Sequence, residues 1–238
     1  MRPDTVVNGR YVVVRPLGEG GMGSVCLVRD RAQGGREVAL KLLRPDTLDP
    51  ESAERFKNEF RSMTRLSHPN LAEVYDFGTT SGNGRHFLTM EYIRGNDLTA
   101  WRWPVIRGRV EDLVVQCLRA LDYIHARGLL HNDIKPQNIL VREPFQVKLL
   151  DFGLAQRLSD PSDPGLSGTI HYLAPERLQG NRPDLRSDLY ALGIVLYELL
   201  AGAPPYQAGD EGGVVASILR GHPHAPRALN PDLPPHLE

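Results

Sequence analysis

Over the first ninety residues, apolar positions come in short β-branched runs separated by glycine-rich turns, the pattern of strands. Tyr11 to Arg15 is one such run, and Val25-Cys26-Leu27-Val28 follows the glycine-dense stretch Gly18 to Gly23. Val38-Ala39-Leu40 comes after a turn at Gln33-Gly34-Gly35. Asp49-Pro50-Glu51 then offers an N-cap with proline at the first helical position. Phe56, Phe60, Met63 and Leu66 recur at helical spacing up to a stop at His68-Pro69. Two further strands, around Leu71–Tyr75 and His86–Tyr92, flank the turn Ser81-Gly82-Asn83-Gly84. The spacing predicts a small sheet carrying one helix.

After Gly95 the period changes. Val110 to Ala126 places Leu113, Val114, Cys117, Leu118, Leu121 and Ile124 on one helical stripe. Short strands are expected at Ile139–Val141 and Val147–Leu150, and Ser187 to Leu200 is apolar almost all round, as in a helix buried at a lobe's centre. His222 to Glu238 holds five prolines and reads as extended loop. The chain contains no internal repeat. The expected division is therefore α+β, a β-rich part over residues 1–92 and a mainly helical part over 93–238.

Composition narrows the setting. The 238 residues are 41% hydrophobic, and 28 basic against 29 acidic residues leave a net charge of −1, so nothing points to a nucleic-acid partner. No apolar run approaches the ~18 residues of a membrane span, and the opening MRPDTVVNGR lacks the apolar centre of a signal peptide. Only Cys26 and Cys117 are present, too few for a disulfide framework. A soluble, cytoplasmic protein is expected, with attachment to a membrane through sequence beyond Glu238 left open. Arginine supplies 24 of the 28 basic residues; the four lysines are Lys41, Lys57, Lys135 and Lys148. With abundant Ala, Gly and Pro, this suggests a GC-rich bacterial gene.

Four segments carry candidate chemistry. Gly18-Glu19-Gly20-Gly21-Met22-Gly23-Ser24-Val25 is a G-x-G-x-x-G-x-V run whose backbone N–H groups can approach phosphate oxygens. A plain glycine hairpin or a dinucleotide-binding turn has a similar look, but the latter opens a helix and needs an acidic residue ~20 positions on. Lys41 ends the strand Val38-Ala39-Leu40 and can reach a phosphate, with Glu59 on the inward helix face as an anionic partner. The bland alternatives are a solvated lysine and a surface glutamate. His131-Asn132-Asp133-Ile134-Lys135-Pro136-Gln137-Asn138 supplies a carboxylate, an ammonium and an amide within six residues. Asp133 can accept or orient a hydroxyl proton, Lys135 can neutralise a phosphoryl group, and Asn138 offers a neutral oxygen to a hard cation. Asp151-Phe152-Gly153 adds a second oxygen ligand for Mg²⁺ and a flexible bend.

These segments, in this order, resemble the eukaryotic-type protein kinases, and most closely the bacterial Ser/Thr protein kinases. The likeness runs from about Tyr11 to about Tyr206, and the gaps 133 to 138, 133 to 151 and 151 to 176 fit the family's pattern through Ala174-Pro175-Glu176. The resemblance implies a two-lobed fold with ATP between the lobes, and transfer of its γ-phosphoryl group to protein Ser/Thr hydroxyls, autophosphorylation included. By the same resemblance Asp133, Lys135, Lys41 and Glu59 are catalytic, and Asn138 and Asp151 hold Mg²⁺. ATP would lie against Leu17, the loop Gly18 to Val25, Ala39, Lys41, Met90, Glu91, Ile93 and Leu140. Gly168 to Glu176 is similar to the stretch that receives a peptide, with Thr169 and Tyr172 positioning it and Thr169 bonding Asp133 and Lys135. Asp188 resembles the aspartate that fixes the backbone around His131. Ser159, Ser162, Ser167 and Thr169 are candidate phosphorylation sites.

Two departures stand out. The family's arginine before the catalytic aspartate is Asn132 here, which removes the usual clamp for a phosphate on the activation loop. The family also continues past Leu237 with further helices, one bearing an arginine for the glutamate equivalent to Glu176, so a truncated C-lobe and further C-terminal domains are expected. Leu196, Leu199 and Leu200 would then lack their cover. A homodimer through the N-lobe rests on family analogy. The rival reading is a pseudokinase, a nucleotide-binding module that regulates an attached domain; such modules lose the equivalents of Lys41, Asp133 or Asp151, and all three stand here. A small-molecule kinase is opposed by the stretch Thr169 to Glu176. His222-Pro223-His224 lacks further ligands and reads as solvated loop.

Overall fold

Alternation along the strands decides the first sheet of the computed structural model, which describes residues 1–20, 23–44, 60, 63–82, 84–101, 103–151 and 170–238. The strands are β1 (Val6–Val7), β2 (Tyr11–Gly20), β3 (Gly23–Asp30), β4 (Arg36–Leu43), β5 (Val74–Thr79) and β6 (His86–Glu91). They are antiparallel in the order β1-β2-β3-β4-β6-β5. One face closes a core of Val7, Tyr11, Val13, Cys26, Val28, Val38, Leu40, Leu42 and Phe87, with Tyr75 against it. The pairs Val25↔Lys41, Leu27↔Ala39, Ala39↔Met90 and Lys41↔Leu88 put the intervening residues on the other face. The β5 strand begins at Val74 rather than at Leu71, which makes only an isolated bridge. Most of the helix expected between Asp49 and Leu66 lies outside the described residues; Phe60 and Met63 are both buried.

The chain divides into two compact units, Met1–Arg94 and Gly95–Glu238. The second carries a three-stranded antiparallel sheet in the order β7 (Asn96–Asp97), β8 (Ile139–Arg142), β9 (Gln146–Leu149). Its long helices are α1 (Val110–His125), α2 (Leu185–Ala201) and α3 (Glu211–Arg220). Glu111 and Asp112 open α1 and His125 closes it, which suits the helix dipole. The buried stripe of α1 is Leu113, Cys117, Ala120, Leu121 and Ile124. Leu118, expected on that stripe, is 41% exposed, because one step of about 100° past Cys117 carries it off the apolar face. Burial pushes the Cys117 thiol up to about 12, so it stays protonated and unreactive at neutral pH.

Helix α2 starts on a capping box between Asp184 and Ser187 and stops at Gly202, which takes the left-handed conformation at φ 80°. The tail beyond it is not the extended loop its prolines suggested. It forms single turns at Pro226–Leu229 and Pro235–Leu237. The Asn230 amide donates to the Leu200 carbonyl at 2.7 Å and the Tyr197 hydroxyl to the His224 carbonyl at 2.8 Å. Leu199, Leu200 and Leu233 are buried, so the apolar end of α2 is largely covered, contrary to the expected exposed patch.

One glycine is fixed by sterics. Gly23, at φ 141°, faces the β4 backbone, and a Cβ there would sit 2.0 Å from the Leu42 carbonyl oxygen. Gly23→Ala should therefore cost about 2–4 kcal/mol from backbone strain and overlap together. Denaturant unfolding of the two proteins checks this; a loss below about 1 kcal/mol would mean that the hairpin relaxes freely.

Candidate active site

The loop after α1 is held from below by a buried carboxylate. Asp188, 1% exposed near the start of α2, accepts the His131 N–H on Oδ2 and the Asn132 N–H on Oδ1, both at 2.8 Å. His125, at the end of α1, adds a 2.8 Å bond to the same Oδ2. These bonds pull residue 132 into the left-handed region, φ 62°, where asparagine is among the best-tolerated residues. That gives Asn132 a local structural reason. The Asp188 expectation is met in geometry.

The turn so formed delivers Asp133, which is 5% exposed. The Lys135 ammonium lies 2.9 Å from its Oδ1 and 2.8 Å from its Oδ2. The Asn138 amide nitrogen donates to the Asp133 carbonyl and to Oδ2, each at 2.8 Å. Pro136–Asn138 is a single 3-10 turn, and Asn138 accepts the Leu150 N–H at 2.9 Å, which ties this loop to the end of β9. Asp151 follows directly, with φ 57°. Because Asn138 commits its nitrogen to Asp133, its side-chain oxygen is turned away from that carboxylate. An amide oxygen and a carboxylate oxygen on adjoining segments are the hard donors that Mg²⁺ takes. Among the described residues no group of three or more His, Cys, Asp or Glu is placed to hold a metal. A cation here would complete its shell with phosphate and water oxygens, as Mg²⁺ commonly does.

His131 is fully buried, and desolvation holds its imidazole below the usual histidine range despite the nearby Asp188, Asp133 and Asp151. A group with a depressed native pKa contributes stability that is present above the unfolded value of about 6.5 and is lost as pH falls toward the native one. Chain stability should therefore drop below pH ~6.5, by at most ~1.4 kcal/mol per pH unit from this residue. The drop should be smaller in His131→Gln. Identical pH slopes for the two proteins between pH 7 and 5 would contradict this.

In the first unit four of the described candidates share one sheet face. Val25, Ala39, Lys41 and Met90 lie opposite the core face, and Lys41 is 6% exposed. Gly18, Glu19 and Gly20 pair with Val25, Ser24 and Gly23 at the hairpin end, and a Cβ at Gly18 or Gly20 would meet nothing within 4 Å. Leu17 sits in a register shift of β2 between Pro16 and Gly18. Ile93 is buried, and the Glu91 N–H donates to the Glu73 carbonyl at 2.8 Å, which removes it from any adenine edge. Leu140, in the second unit, is half-buried on β8 between the buried Ile139 and Val141. Gly21, Met22, Glu59, Phe152, Gly153, Ser159, Ser162, Ser167 and Thr169 lie outside the described residues.

Tyr172 is anchored within the second unit. Its hydroxyl donates to Glu198 Oε2 at 2.6 Å, and its ring packs on Ile194, Tyr206, Val214 and Ile218. Burial and the Glu198 carboxylate raise its pKa above the usual tyrosine range. Glu176 accepts from the Ser187 hydroxyl at 2.6 Å, so this chain provides it with a partner. Sequence reasoning missed His125; its position in the last turn of α1, before a histidine-aspartate loop, was the only available signal.

A glycine-tipped antiparallel sheet with a buried strand lysine, and a helical unit presenting an Asp-Lys-Asn loop beside a strand-end aspartate, define a phosphotransferase class. The comparisons make the class specific: the family described as protein kinase domain matches residues 11–235, and the chain belongs to it. The serine/threonine-protein kinase pkn3 of Myxococcus xanthus is 39% identical over 239 residues, covering 94% of this chain and 43% of that protein. The serine/threonine-protein kinase PknA of Mycobacterium tuberculosis is 38% identical over 250 residues, covering 99% of this chain and 56% of that protein. The crystal structure of the Mycobacterium tuberculosis PknI kinase domain matches with TM-score 0.73 at 35% identity, over 98% of this chain and 86% of that one. The chain thus spans about half, or less, of the curated relatives it matches.

Proposed function

We propose that this chain is the catalytic domain of a bacterial protein serine/threonine kinase. It would transfer the γ-phosphoryl group of ATP to Ser or Thr hydroxyls of proteins, its own included, in signalling. The observation that carries this reading is the Asp133 carboxylate held between the Lys135 ammonium and the Asn138 amide on a loop anchored by Asp188. Asp133 orients the acceptor hydroxyl and takes its proton as the new O–P bond forms and the bond to the β-phosphate bridging oxygen breaks, releasing ADP. Lys135 balances charge on the phosphoryl group in flight. Lys41, paired with Glu59, holds the α- and β-phosphates under the Gly18–Val25 hairpin. Leu17, Val25, Ala39, Met90 and Leu140 are the apolar residues assigned to adenine, with the Glu91 carbonyl and the Ile93 backbone assigned to its edge. Asn138 and Asp151 would hold Mg²⁺, which supplies charge neutralisation on the phosphates. Thr169 and Tyr172 belong to the segment that receives the peptide.

The lobes are assigned to residues 1–92 and 93–238. The partners are protein substrates, further domains C-terminal to Glu238 and a second copy met through the N-lobe. Among the described residues no helix is long and apolar enough to cross a membrane, and a cytoplasmic location is part of the proposal. The test is incubation with ATP, Mg²⁺ and a generic protein, followed by mass spectrometry. Phosphoserine and phosphothreonine, lost on chelation, support the reading. Phosphate found only on tyrosine or on a small metabolite would overturn the substrate class.

A further inference from the structure

In a flat sheet of this order, β2 and β5 would stand four strand spacings apart, about 19 Å. They instead meet. Arg10, just before β2, donates to Asp76 Oδ2 on β5 at 2.8 Å, and the Tyr11 hydroxyl donates to the same oxygen at 3.1 Å. The Asn8 side chain makes a two-point bond to the end of the β5–β6 hairpin: its nitrogen donates to the Thr79 carbonyl at 2.7 Å and its oxygen accepts the Ser81 N–H at 2.8 Å. Arg10 also makes a forked pair with Asp30 at the end of β3, at 2.8 and 2.7 Å. That fork pushes the guanidinium pKa up and holds the Asp30 carboxyl below its usual range. The sheet has curled until the start of β2 meets β5, and side chains close the seam that no backbone ladder closes.

We infer that Asn8, Arg10 and Asp76 are positioning residues for the nucleotide phosphates, acting through the curl of this sheet; this rests on the function proposed above. The seam lies at the Tyr11 end of β2, and Gly18 to Gly20 lie at the other end, about 23–30 Å of strand away. A change of twist of about 5° at the seam displaces a tip at that range by roughly 2–3 Å. Productive phosphate geometry tolerates about 0.5–1 Å. On its outer side β2 pairs with the two residues of β1 and, at Val13, with Asp4 and Thr5, so among the described residues backbone pairing beyond Val13 comes from β3 alone.

The test uses Asn8→Gly and Asp76→Asn, singly and combined. Asn8 already has φ 49°, so glycine enters without strain, and the Asp76 side chain is 42% exposed, so its charge can be removed without burying an unpaired group. Arg10 is left in place because its loss would strand the buried Asp30. The dissociation constant of Mg²⁺–ATP is measured by calorimetry well below each protein's melting temperature, with adenosine as a control that lacks phosphates. The double variant should bind ATP about 3–10-fold more weakly and adenosine within 1.5-fold of the parent. Equal weakening of both ligands, or ATP binding within 1.5-fold, would overturn the inference and leave the seam a stabilising feature only. A parent protein that binds no ATP would overturn the functional reading beneath it instead.

Discussion

Phosphoryl transfer should fall by about 10²–10⁴-fold when Asp133 is replaced by asparagine, while ATP affinity stays nearly unchanged. In the proposed function this carboxylate accepts the hydroxyl proton, and an amide cannot take one. The surroundings tolerate the swap. The Lys135 ammonium lies within 2.9 Å of Oδ1 and 2.8 Å of Oδ2, so an amide nitrogen at the Oδ1 position leaves Lys135 and Asn138 both able to donate to the remaining oxygen. Backbone bonds from Asp188 keep the loop in place, since they contact residues 131 and 132 rather than the Asp133 side chain. Single-turnover kinetics beside calorimetry check this. A fall in transfer matched by an equal fall in affinity would remove Asp133 from the role assigned to it.

Asp151→Asn should act on the other side of that division. Losing a charged ligand from a dication is expected to weaken Mg²⁺–ATP binding by about 10–100-fold, with a smaller effect on ATP measured without metal. Asp151, two residues past the end of β9, lies in the left-handed region, a conformation that asparagine accepts as readily as aspartate, so the substitution should not unfold the turn. Titration of nucleotide with and without Mg²⁺ separates the two outcomes. Equal weakening in both series would mean that Asp151 does not serve the cation.

Much of this was legible in the residues, because local rules act over a few positions. The β-branched runs became β2, β3 and β4, and the apolar stripe became α1 within a residue of its expected ends. What failed were features set by distant partners. The α3 helix was not foreseen, since Glu211-Gly212-Gly213 is a poor helix start by composition. Its signals were the Asp210 cap, the Val214 and Ile218 pair and the Gly221 stop. The proline-rich tail reads as loop until Asn230 finds Leu200 and Leu233 finds a buried place. The motif aspartate, lysine and asparagine were visible because six positions of chain hold all three. The ties from His125 to Asp188 and from Arg10 to Asp76 cross more than sixty positions, and no spacing rule reaches that far.

In the proposed function, nucleotide held by this chain is used for transfer. The most direct measurement follows one sample with γ-labelled ATP and Mg²⁺, reading bound nucleotide by calorimetry and label on protein serine and threonine over time. Saturable ATP binding is expected together with covalent label that accumulates at a turnover of about 1–100 s⁻¹ on a good substrate. Saturable binding with no covalent label, on itself or on any protein offered, would contradict it and make the chain a nucleotide-binding regulatory module.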